Sequence, residues 1–168
     1  MSSRTFDTVE SLKKRYNTSE PRELAEECGI IVKEMDIGKC LGFYTEMRRV
    51  RYIVLSETLE ESIYRFVLSH ELGHGILHRD LAKMKKIAPF SFFDLKTKPE
   101  FEANMFAANL LISDKDILEC AEDGYTVGQT ASILRIMPDI VVLKMMDMRN
   151  RGYAFTIPYI PNGNIFNH

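Results

Sequence analysis

Ile63-Tyr-Arg-Phe-Val-Leu-Ser-His70-Glu71-Leu-Gly-His74-Gly-Ile-Leu77 runs without a proline, and its reading decides how the rest of the chain is understood. Ahead of it, Ser56 to Glu61 carries cap chemistry, with Thr58 and Glu61 spaced as a capping box, so this stretch is expected to be the principal helix. Residues four apart project from one helix face. His70 and His74 can therefore offer ring nitrogens to one tetrahedral ion, with Glu71 beside them, in an HExxH pattern. Zinc (Zn2+) is the expected ion, and a catalytic zinc takes three protein ligands and leaves its fourth position to water. The bland reading is two histidines and a solvated glutamate on an amphipathic helix. Against it, three of the four histidines fall between positions 70 and 78. Gly73 and Gly75 also stand mid-helix, where each costs about 1 kcal/mol relative to alanine. That cost implies a local reason for glycine, such as the close approach of another backbone.

Three residues compete to be the third ligand. His78 lies two turns beyond His70, and ligands spread over about 12 Å of helix do not meet at one ion. Asp80 has the right distance from His74 for one class of zinc site, but that class turns the chain with a glycine where Leu77 stands. The third candidate lies on the next helix, in Glu100-Phe-Glu-Ala-Asn104. Glu100 and Asn104 share a face with Ala103, Ala107 and Leu111, whereas Glu102 points about 200° away from Glu100. Glu100 is the choice, with Asn104 placed to orient a histidine ring. A competing reading has Thr97 and Glu100 as a capping box that binds only backbone.

Working outward, Thr5–Tyr16 shows helical spacing of Phe6, Val9 and Leu12, and a second helix runs from Pro21 to Cys28 with Gly29 as its stop. Ile30–Val32, Gly42–Tyr44 and Arg51–Leu55 read as three short strands. Arg79 to Lys98 is a long basic connection containing Phe90, Phe92 and Phe93, aromatic residues that either pin it to the core or form a lip. Helices are expected from Pro99 to Ile112, from Ser113-Asp114 to Gly124, over Thr126–Ile136 and over Pro138–Arg149. Tyr153–Ile157 reads as a strand, and the tail from Pro158 as loose. The expected fold is α+β, with a small, mainly antiparallel sheet packed on the two helices that carry the candidate ligands.

The 168 residues suit one main core, 45% hydrophobic and 27% charged, which excludes wholesale disorder and fibrous structure. Cys28, Cys40 and Cys120 are odd in number and lack CxxC spacing, so neither a disulfide framework nor a cysteine metal site is expected. No signal peptide or membrane span is legible, and a cytoplasmic location is expected. A net charge of −2 leaves no global footprint for nucleic acid.

From about Pro21 to Arg149 the sequence resembles the ImmA/IrrE family of zinc metallopeptidases. The resemblance is carried by Arg65-Phe-Val-Leu-Ser-His-Glu-Leu-Gly-His-Gly-Ile-Leu-His78 and by Glu100-Phe-Glu-Ala-Asn-Met-Phe-Ala-Ala-Asn-Leu-Leu-Ile112. It implies a zincin-like peptidase in which His70, His74 and Glu100 bind zinc and Glu71 activates water. It also implies a protein substrate, a helix-turn-helix repressor of a mobile element or stress response. Ser113 replaces the proline that the family often carries at that point. Thr126–Leu143 resembles an appended helix-turn-helix, but Arg135 occupies the turn position usually given to glycine. Arg135, Lys144, Arg149 and Arg151 against Asp139 and Asp147 argue against direct DNA binding. The expected organisation is a peptidase domain over residues 1–124 and a small helical region, residues 125–168, packed on it. The alternative is a non-proteolytic regulatory binding protein that retains the zinc site.

Overall fold

The computed structural model describes residues 4–82 and 97–161, and is α+β as expected. Two helices come first, α1 (Arg4–Tyr16) and α2 (Pro21–Glu27), with Pro21 in the first turn of α2 and Gly29 just past its end at φ 71°. Three strands follow, β1 (Ile30–Met35), β2 (Gly42–Met47) and β3 (Val50–Ser56). Their spatial order is β1-β3-β2, so β3 slots between the other two. β2 and β3 form an antiparallel hairpin closed at Met47↔Val50, while β1 and β3 run parallel from Ile30↔Arg51. The sheet is thus evenly mixed where a mainly antiparallel one is expected. The two-residue turn commits β2 to one side of β3, and β1 takes the other side of β3 instead of the free edge of β2, where it would have run antiparallel. That turn is Arg48-Arg49, with both residues left-handed at φ 50° and 68°, a conformation that hairpins ordinarily give to Asn-Gly.

Helix α3 (Glu61–Leu77) begins at Glu61 with Glu60 as its cap residue and no side-chain cap bond. The expected capping box is absent because the Thr58 hydroxyl pairs with the Ser56 hydroxyl at 3.0 Å instead. From Phe66 to Gly73 every α3 residue is buried, which marks a helix enclosed on all sides. α4 (Arg79–Ala82) is one short turn, and Phe90, Phe92 and Phe93, whether lip or pin to the core, lie outside the described residues. α5 (Lys98–Leu111) crosses α3, then come α6 (Asp114–Glu122), α7 (Val127–Leu134) and α8 (Pro138–Asn150). Ser113 and Thr126 each close a capping box at the start of α6 and α7.

Two apolar clusters result. One joins the sheet, α1, α2 and α3 to Phe106 and Leu110 of α5; the other joins Phe66, Met105, Ala108 and Ile112 to α7 and α8. Tyr153–Ile157 is not a strand. Tyr153 N donates to Met148 O and Phe155 N to Tyr153 O, so the segment satisfies itself locally and Phe155 packs on the second cluster.

Candidate metal centre

α3 and α5 pack closely because both carry small residues where they cross. A Cβ added at Gly73 would stand 3.2 Å from Ala103 Cα and 3.1 Å from Phe106 Cβ, and one at Gly75 would stand 2.8 Å from the Tyr44 ring. Both mid-helix glycines are therefore explained by close approach, Gly73 to α5 and Gly75 to β2. That proximity brings the N-terminal turn of α5 beside the histidines of α3.

His70 Nε2 and His74 Nε2 are 3.0 Å apart, and Glu100 Oε2 lies 3.2 Å from the first and 3.3 Å from the second. These edges form a nearly equilateral triangle. A tetrahedral ion with bonds of about 2.0–2.1 Å needs ligand–ligand edges of about 3.3 Å, so the three side chains fit a divalent metal of this kind. Two imidazoles and a carboxylate also make the nitrogen and oxygen donor set that such metals accept. Thr97 makes no cap bond with its side chain, so Glu100 is not half of a capping box. Asn104 Oδ1 lies 2.9 Å from His70 Nδ1. An amide oxygen there accepts the Nδ1 proton and leaves Nε2 as the lone-pair nitrogen facing the triangle.

Glu71 is buried, and its Oε2 accepts the backbone N–H of Tyr44 at 2.9 Å. This contact ties the edge strand β2 to the helix of the motif. Nothing in the sequence marks it, because its donor is main chain. Glu102 goes elsewhere, to His78 at 3.2 Å and Lys98 at 3.8 Å. Burial, reinforced by His74, pushes the His78 imidazole below its usual range. Among the described residues, neither His78 nor Asp80 joins the triangle.

Away from the triangle, two of the four cations weighed for DNA contact are spoken for. Lys144 is fully buried and donates to Asp114 at 2.7 Å and Asn109 at 2.8 Å. Arg151 forks onto Asp114 at 2.6 and 2.7 Å and reaches Asp147 at 2.8 Å.

The peptidase family M78, described as the IrrE N-terminal-like domain, matches residues 25–139. "Uncharacterized immunity region protein 2" of Bacillus phage phi105 is 34% identical over 146 residues, which cover 84% of this chain and 90% of the phage protein. "Metallopeptidase ImmA" of Bacillus subtilis (strain 168) is 27% identical over 156 residues, 89% of this chain and 90% of that protein. With the family match spanning residues 25–139 and the relatives aligned over most of their length, this chain belongs to the ImmA/IrrE metallopeptidases, the family of the IrrE N-terminal-like domain.

Proposed function

We propose that this protein is a zinc endopeptidase acting on a helix-turn-helix repressor, with the chemistry in residues 1–124 and residues 125–168 as a helical region packed on them. The observation that carries the reading is the triangle of His70, His74 and Glu100 with a buried glutamate next to it in the chain. Zinc held there supplies a Lewis acid that polarises a carbonyl oxygen and makes a water acidic near pH 7. Glu71 takes the proton of the attacking water and delivers it to the leaving amine. Tyr44 N–H holds one oxygen of that carboxylate in place, and Asn104 holds the His70 ring.

β2 is the outer strand on the side of the site, and its Tyr44 N–H turns away from β3. The alternation of an antiparallel pair turns Gly42 and Glu46 the same way. An extended peptide added along this edge lies across Glu71, held by main-chain contacts with little demand on its side chains. The substrate class is supported by the phage relative, whose name places it in an immunity region.

The test pairs zinc content with cleavage of a helix-turn-helix repressor encoded beside the gene. Glu71→Gln is expected to keep about one zinc per chain while cleavage falls at least about 100-fold. Loss of metal in that variant would make Glu71 a ligand. Glu100→Ala is expected to lose zinc and Glu102→Ala to keep it; the reverse result would move the third ligand along α5. Repressor binding without cleavage by the zinc-loaded wild type would favour the regulatory binding protein instead.

A further inference from the structure

The sheet is two-faced, and among the described residues helices cover only one face. α2 and α3 pack on the side that carries Ile30, Tyr44, Ile53 and Leu55. On the other side, Ile31, Met35, Met47 and Val50 are 45, 48, 59 and 38% exposed, and together they are four of the nine large apolar side chains exposed among the described residues. Single exposed apolar residues are ordinary; four on one face, next to Phe43 and Tyr52, form a patch.

Within the strands, the charge on this face has a single sign, with Asp36 following β1 at the Met35 end. Glu34, Glu46 and Arg51 take the inward parity of their strands and find partners there, Glu34 with Arg22, Glu46 with Arg79 and Arg51 with the Cys28 carbonyl. Lys33 takes the outward parity, with its ammonium 5.9 Å from the centre of the Tyr52 ring. The hairpin turn adds Arg48 and Arg49, both exposed and both held in the left-handed conformation. A turn that would relax with Asn-Gly instead keeps two guanidinium groups at the end of the patch. Such an outlier is a reason to look for a binding role.

We propose that this outer face docks an amphipathic helix of a partner protein, one whose apolar stripe is bordered by acidic residues. Three strands place their outer axes about 10 Å apart, the breadth of one helix. The cations argue against the other occupants. A second copy would set Lys33, Arg48 and Arg49 against their own kind. Residues 83–96 of this chain carry Lys83, Lys85, Lys86 and Lys96 against Asp94, again the same sign. The proposal is independent of the peptidase reading.

The test is a methyl NMR titration of the full-length protein, labelled at its methionines, with a synthetic amphipathic helix of about 18 residues. One version has a leucine stripe bordered by glutamates, and the other has the same stripe bordered by lysines. The acidic peptide is expected to shift the Met35 and Met47 methyls saturably and to bind at least about tenfold tighter than the basic one. The Lys33→Glu/Arg48→Glu/Arg49→Glu variant is expected to reverse that preference, and the unmoved methyl signals of Met105 and Met148 report that its core is intact. Equal binding of both peptides, no shift up to about 1 mM peptide, or binding that leaves Met35 and Met47 unmoved overturns the proposal. So does dimerisation of the free protein through the same methyls, which would assign the face to a second copy. Adsorption to vesicles with about 30% phosphatidylserine that the acidic peptide does not displace would assign it to a membrane.

Discussion

Glu100 and Glu102 stand two residues apart in the chain, and the helical repeat sends them to different partners, one to His70 and His74, the other to His78. That separation was legible in the sequence, because it follows from 100° per residue and the sharing of a face by Glu100 and Asn104. Asn104 provides the more demanding check of the same geometry. Asn104→Ala removes the oxygen that faces His70 Nδ1 and is expected to weaken zinc binding by about 10- to 100-fold without removing a ligand. Competition with a chelator of known affinity measures it, and an unchanged affinity would show that the amide does not orient the ring. What the sequence could not reveal at this scale is the hold on Glu71. The Tyr44 N–H is present in every residue but proline, so no side-chain pattern announces it.

Most elements were legible where a local rule governed them, although the Thr58 and Glu61 capping box expected ahead of α3 does not form. Proline at the start of α2, Ser113 at the start of α6, and the proline-free stretch that became α3 each act within a few turns of chain. The other departures were non-local. The parallel pairing of β1 with β3 depends on which edge of the β2–β3 hairpin β1 joins, a choice between distant partners that no residue within the strands announces. Tyr153–Ile157 has the composition of a strand but meets no sheet edge, and β structure needs a partner. The glycines of α3 lie between these cases, since their cost was visible and their neighbours were not. Gly75→Ala drives a methyl to 2.8 Å from the Tyr44 ring, which is itself buried. It is expected to lower stability by a net 1–2 kcal/mol or about that, with overpacking outweighing the gain in helix propensity. It should also lower activity, because the displaced residue carries the N–H that holds Glu71. Thermal unfolding and cleavage rates measure the two effects separately. A variant with full stability and full activity would mean that the β2 contact is slack.

For the whole molecule, the decisive feature is how the C-terminal helices are fastened. Asp114 receives Lys144 and Arg151 together, while the Arg151 guanidinium lies 3.7 Å from the centre of the Phe6 ring on α1. Burial alone would raise the Asp114 carboxyl, but the hydrogen bonds and charges of Arg151 and Lys144 overcome it and hold the group at about 2. A carboxyl depressed in the folded state contributes stability above its unfolded value, near 3.9 or about that, and loses it as pH falls toward 2. Asp114→Asn is expected to cost about 3 kcal/mol at pH 7, since it leaves Lys144 buried without its counter-charge. The gap between wild type and variant should close as pH drops from about 4 to about 2. Denaturant melts at a series of pH values test this, and a gap independent of pH would remove Asp114 from the account. α5 carries this fastening at Asn109 and the candidate ligand at Glu100, with Phe106 in one apolar cluster and Met105 in the other. A gene shuffled with a relative at residue 124 would therefore inherit two unmatched halves of a single interior. Recombinants should survive only where the joint falls ahead of α5 and the incoming helices still accommodate Phe66.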